Sequence, residues 1–133
     1  MRKFWPQISF TLLLLAAVIA LACGSSTERI LQSITISPAT AEEQAQFTAT
    51  GYFTTHPSPV TPFAATWGAC AQEWEPTSAV SISSSGLAQC STGASGTFTI
   101  FAYGTNTGPV CDVALACGPP CGSISSTAKL TCP

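Results

Sequence analysis

Apolar positions follow two different patterns along this chain. Near the N-terminus, Leu12 to Leu21 is an almost unbroken apolar run. From Leu31 onward, single apolar residues alternate with Ser and Thr, and no series at i, i+3, i+4 and i+7 is sustained. Thr, Ser, Gly and Pro, all unfavourable inside helices, recur throughout this second part, which therefore reads as all-β.

Seven strands are predicted, divided by turn residues. They are Leu31 to Ser37, Ala45 to Phe53, about Phe63 to Cys70, Val80 to Ile82, Leu87 to Cys90, Gly96 to Tyr103 and Ser123 to Thr131. In the second, Phe47, Ala49 and Gly51 share one face and Thr48, Thr50 and Tyr52 the other. The sixth is the clearest, with Phe98, Ile100 and Ala102 alternating with Thr97, Thr99, Phe101 and Tyr103, as half-buried antiparallel strands do. About seven short strands in one domain of ordinary size is the count of an immunoglobulin-like (Ig-like) antiparallel β-sandwich.

The order of residues adds a resemblance. Leu31-Gln32-Ser33-Ile34-Thr35-Ile36-Ser37-Pro38-Ala39, Gln46-Phe47-Thr48-Ala49-Thr50-Gly51 and Ala65-Thr66-Trp67 resemble the bacterial Ig-like domains of group 2, the invasin/intimin-related superfamily. So do Ala79-Val80-Ser81-Ile82-Ser83, Ser84-Ser85-Gly86-Leu87-Ala88 and Ala94 to Ala102. The likeness covers residues 31–103 and implies an Ig-like sandwich, which offers loops at two ends and sheet faces for contact without fixing a function. It departs from the family in its cysteines and in the long stretch Gly104 to Gly122 before the last strand, a length of connection that is uncommon in compact domains and often functional.

The N-terminal run reads as an export signal. Arg2 and Lys3 supply the positive start, and the apolar run is shorter than the roughly 20 residues of a comfortable membrane span. Ile19-Ala20-Leu21-Ala22-Cys23 resembles the bacterial lipobox, in which the Cys is acylated and freed by cleavage just before it. This resemblance implies a signal peptide over residues 1–22, a lipidated Cys23 (palmitate or a similar acyl chain), a short tether over residues 23–30 and one domain over residues 31–133. The protein is expected to be exported and lipid-anchored to the cell membrane or, as Gly24 after Cys23 suggests, the outer membrane.

Charge narrows the partners. After removal of the signal, Arg29 and Lys129 stand against Glu28, Glu42, Glu43, Glu73, Glu75 and Asp112. Nothing there neutralises a row of phosphates, so nucleic acid is not an expected partner. The membrane, through the lipid, is one expected partner, and a protein or glycan is the other.

Cysteine arithmetic supports the anchor. The chain has seven Cys, an odd number for an oxidising compartment. Acylation of Cys23 leaves Cys70, Cys90, Cys111, Cys117, Cys121 and Cys132, which can all pair. A bridge between Cys70 and Cys90 is expected, with the other four pinning residues 104–122 to the last strand; each bridge contributes typically about 2–4 kcal/mol. Cys111, Cys117, Cys121 and Cys132 lack the paired CxxC spacing of a zinc site, so no metal is expected. Cys117-Gly118-Pro119-Pro120-Cys121 has one residue too many for a thioredoxin-type pair, and no βαβ pattern surrounds it.

Catalytic candidates are few. His56 is the only His and sits in a Pro-rich turn, without a marked carboxylate or nucleophile partner. Glu73 and Glu75 flank Trp74, but calcium takes about six to eight oxygens and no Asp-rich loop supplies them. No catalytic residue and no cofactor are expected. Trp74, Phe101 and Tyr103 are the candidate binding residues, because they either cover a sheet face or present it to a partner. The expected function is a lipid-anchored cell-envelope module with a binding, adhesion or structural role. Its alternative is a small periplasmic redox protein or other enzyme using the Cys-rich loop.

Overall fold

A computed structural model describes residues 28–105 and 116–133. The described chain is all-β, a disulfide-stapled sandwich of nine strands. In chain order these are β1 (Leu31–Ser37), β2 (Thr40–Glu42), β3 (Gln44–Gln46), β4 (Thr48–Phe53), β5 (Thr66–Cys70), β6 (Val80–Ile82), β7 (Leu87–Cys90), β8 (Gly96–Gly104) and β9 (Ile124–Cys132). A single 3-10 turn, Gln72–Trp74, follows β5.

Two of these strands come from corrections to the expected seven. The segment Ala45 to Phe53 is divided at Phe47, whose backbone N–H leaves the ladder and donates to the Gly86 carbonyl at 2.8 Å. The piece before it, β3, pairs with β7, whereas β4 pairs with β1. Pro38 ends β1 as expected, but the chain does not then turn back. It crosses to the other layer and adds β2 parallel to β9, with Thr40 opposite Lys129 and Glu42 opposite Thr131. The third strand also starts later than expected, at Thr66. Phe63 instead donates its N–H to the Ala49 carbonyl and sets its ring edge-on to Phe53.

One layer therefore holds β1–β4 and β3–β7–β6, joined through Phe47, and the other has the order β2–β9–β8–β5. With β3 and β4 taken as one broken strand, this is the order of the two layers of an Ig-like sandwich, plus β2 on the edge of the second. The inward faces meet in a core with two connected parts. Phe47, Val80, Ala88, Phe98, Ile100, Ala128, Leu130 and Cys132 form one, and Leu31, Ile34, Ala49 and Ala102 the other. Trp67 and Ile36 touch both. Gly86 is obligatory in this arrangement, because its φ is +87° and an added Cβ would stand 2.4 Å from the Phe47 carbonyl oxygen.

The two ends of the sandwich are tied differently. At the upper end, Glu43 donates its N–H to Thr131 and accepts from the Cys90 N–H, linking the layers beside the Cys90–Cys132 disulfide. At the lower end, Glu28 to Ile30 prolong the β1–β4 ladder. Thr54 N–H donates to the Ile30 carbonyl, Ile30 N–H donates to Thr54 Oγ1, and the Thr54 hydroxyl donates to the Glu28 carbonyl. The Arg29 guanidinium lies 3.8 Å over the Phe53 ring and donates to the Pro57 carbonyl at 2.6 Å.

Candidate functional site

The outer face of the β2–β9–β8–β5 sheet is polar except at one place. Side-chain alternation puts Thr97, Thr99, Phe101 and Tyr103 of β8 on this face. Their partners on β9 are Thr131, Lys129, Thr127 and Ser125. On β5 the partners of Thr99, Phe101 and Tyr103 are Cys70, Gly68 and Thr66. A row of hydroxyls thus surrounds a single aromatic patch.

Phe101 is only 6 % exposed although it points away from the core. Gly68 makes room for it: a Cβ there would lie 2.1 Å from Phe101 Cζ, so the ring rests on the bare backbone of β5. Tyr103 stacks beside it, with ring centroids 6.3 Å apart and planes 22° apart. Trp74 covers it from the 3-10 turn, at 6.2 Å between centroids and a tilt of 58°. These are ordinary separations for favourable aromatic pairs.

Local backbone bonds turn Trp74 back onto the sheet. Ala71 N–H donates to the Glu75 carbonyl, and Glu75 N–H donates to the Gln72 carbonyl. Closing so tight a loop puts Glu73 at φ 57° and Trp74 at φ 63°, in the left-handed region that residues with a Cβ rarely occupy. Trp74 and Tyr103 remain half-buried. The indole borders an open cleft with Thr40, Glu73, Thr99, Thr127 and Lys129 along its walls.

The disulfides frame this patch, and they correct the expected pairing. Cys70 is bonded to Cys117, and Cys90 to Cys132. Cys70 and Cys90 cannot meet because they face opposite ways. Cys70 shares the outer face with its partner Thr99, whereas Cys90 packs against the inner core with Cys132. The bridge to Cys117 holds the segment after residue 115 against the outer face and leaves Cys70 fully buried. Cys117 is therefore not closed on Cys121. Cys121 is itself disulfide-bonded, and Cys23 and Cys111 lie outside the described residues.

Trp74, Phe101 and Tyr103 are thus brought together as one patch, with Phe101 as its buried centre. His56 is exposed between β4 and β5, remote from it along the chain, and Glu73 and Glu75 are exposed on either side of Trp74. Among the described residues, no three His, Cys, Asp or Glu side chains are grouped as a metal ion requires. Gly68, Thr99, Thr127 and Lys129 complete the surface, beyond the three aromatic residues expected from the sequence. A glycine inside a predicted strand was the available signal, since it marks close approach of another group. What the patch offers is ring faces, hydroxyls and one ammonium beside one carboxylate, a chemistry of contact. The chain matches neither a known protein family nor a well-characterised protein.

Proposed function

We propose that this chain is a lipid-anchored cell-envelope module of the bacterial Ig-like kind, which holds a protein or glycan partner by contact and carries out no catalysis. The observation that carries the binding role is the covered aromatic patch of Trp74, Phe101 and Tyr103 on an otherwise polar sheet face. A ring held in place by a left-handed turn beside a disulfide loses little freedom when a partner settles on it, which favours binding. Half-exposed Trp and Tyr beside hydroxyl rows suit stacking on the apolar face of a sugar ring as well as packing on a protein side chain. Anchoring is supported by the lipobox-like residues 19–23, and the family reading by the strand order together with the residue order over 31–103.

The test has two arms on the acylated protein in detergent. Intact mass is expected to show the chain starting at Cys23 with an added acyl mass. Binding to isolated cell-wall glycan and to purified envelope proteins is then compared with the Trp74→Ala variant. A loss of at least tenfold with the fold retained, read by circular dichroism, supports the reading. Binding that is indifferent to Trp74→Ala removes the patch as the contact surface.

A further inference from the structure

The way the N-terminal segment is fastened fixes which end of the sandwich a lipid anchor holds. Residues 28–30 are not a free tether. They are bonded into the β1–β4 ladder at Thr54, and Arg29 is clamped between the Phe53 ring and the Pro57 carbonyl. Only residues 24–27 separate Cys23 from Glu28, and five Cα-to-Cα steps span at most about 17 Å. A nine-residue strand such as β9 is longer than that, about 27 Å from end to end. The lower end therefore stays within about 17 Å of the bilayer, whereas the upper end has room to stand a strand length further out.

Charge agrees with this direction. The segment from Gln44 to Gln72 carries no Asp, Glu, Lys or Arg, and it includes the turn 54–59 at the lower end. Arg29 stands on the same end. At the upper end Glu42 closes β2 and Glu43 follows it, whereas Glu73 lies where the chain folds back from β5 over the outer face, in the cleft that Lys129 also lines. Anionic lipid surfaces attract cations and repel carboxylates within a Debye length, about 8–10 Å. The lower end, where the Glu28 carboxylate is offset by the neighbouring Arg29 cation, suits contact with headgroups better than the upper end with Glu42 and Glu43.

We propose that the domain stands on the bilayer on the face formed by Glu28–Ile30 and the turn His56-Pro57-Ser58-Pro59, from which residues 60–63 run back up beside β4. This inference rests on the lipid anchoring proposed above. It makes the Pro-rich loop a membrane footing, and it leaves the turn at Glu43, the turn around Ser91–Gly93 and the flank bearing Trp74 free for partners.

Acylated protein in nanodiscs containing a paramagnetic headgroup lipid tests it by NMR relaxation. Amide enhancement at Ile30, Thr54, His56 and Ser58 is expected to exceed that at Glu43, Ser91, Thr92 and Gly93 by at least fivefold. Inserting twenty Gly/Ser residues after Ser26, which span about 25 Å as a coil, is expected to bring the two groups within twofold of each other. Acylated protein with uniform enhancement, or with the larger effect at Ser91–Gly93, overturns the orientation and leaves the anchor standing. A mature mass without an acyl group overturns both.

Discussion

At the scale of single residues, Gly68 and Phe101 depend on each other. An outward Phe on the open face of a sheet is normally a solvent-exposed liability. Here the absence of a side chain at position 68 lets the ring lie on the sheet, and Trp74 then closes it from above. Gly68→Ala would drive a Cβ into the ring, and overpacking of this kind costs about 1–3 kcal/mol. Urea unfolding is expected to show that loss, and the double variant Gly68→Ala with Phe101→Leu is expected to regain part of it. Equal stability of Gly68→Ala and the parent protein would mean that the ring does not rest there. Phe47 is the second residue on which much depends, since its fully buried ring fills the centre while its N–H holds the Gly86 turn. Phe47→Ala is expected to cost about 3–5 kcal/mol in the same measurement.

At the scale of elements, alternation was legible in the sequence and pairing was not. β1, β6, β7 and β8 lie close to where the apolar and polar positions place them, and the inward face of residues 45–51 is as read. The break at Phe47 left no trace because the alternation runs straight through it. A side-chain pattern records which face is buried and is silent on which neighbour's edge is bonded. β2 was equally hidden, being three residues with only Ala41 half-buried. The disulfides were more legible than the expected Cys70–Cys90 bridge suggests. Trp67 points inward, so Cys70, three residues on, must point outward; Ala88 and Leu130 point inward, so Cys90 and Cys132 do as well. Strand parity alone excludes the first pair and allows the second. The pairing makes a sharp prediction for double variants. Cys70→Ala with Cys117→Ala removes one bridge closing 47 residues, worth about 2–4 kcal/mol, and leaves no new free thiol. Cys70→Ala with Cys90→Ala breaks both bridges and is expected to show two titratable thiols, at Cys117 and Cys132, and a larger loss of stability. A single lost bridge in that second variant would contradict the pairing.

For the whole molecule, the proposed anchor and the disulfide framework constrain each other through Cys121. Four of the seven cysteines are bonded in two known pairs, and Cys121 is in a third disulfide. Cys23 and Cys111 are the two that remain, and only one of them is Cys121's partner. An acylated Cys23 has its sulfur in a thioether and cannot also enter a disulfide. Lipidation therefore requires a Cys111–Cys121 bridge, which closes the Cys-rich segment on itself while Cys117 ties it to the sheet. Peptic digestion of the mature protein without reduction is expected to release a linked pair of peptides containing Cys111 and Cys121, together with an acylated peptide beginning at Cys23. Intact protein is expected to be silent to thiol reagents and to gain six thiols on reduction. A peptide joining Cys23 to Cys121 would leave the domain without its lipid, and the Pro-rich lower end would then have no reason to face a bilayer.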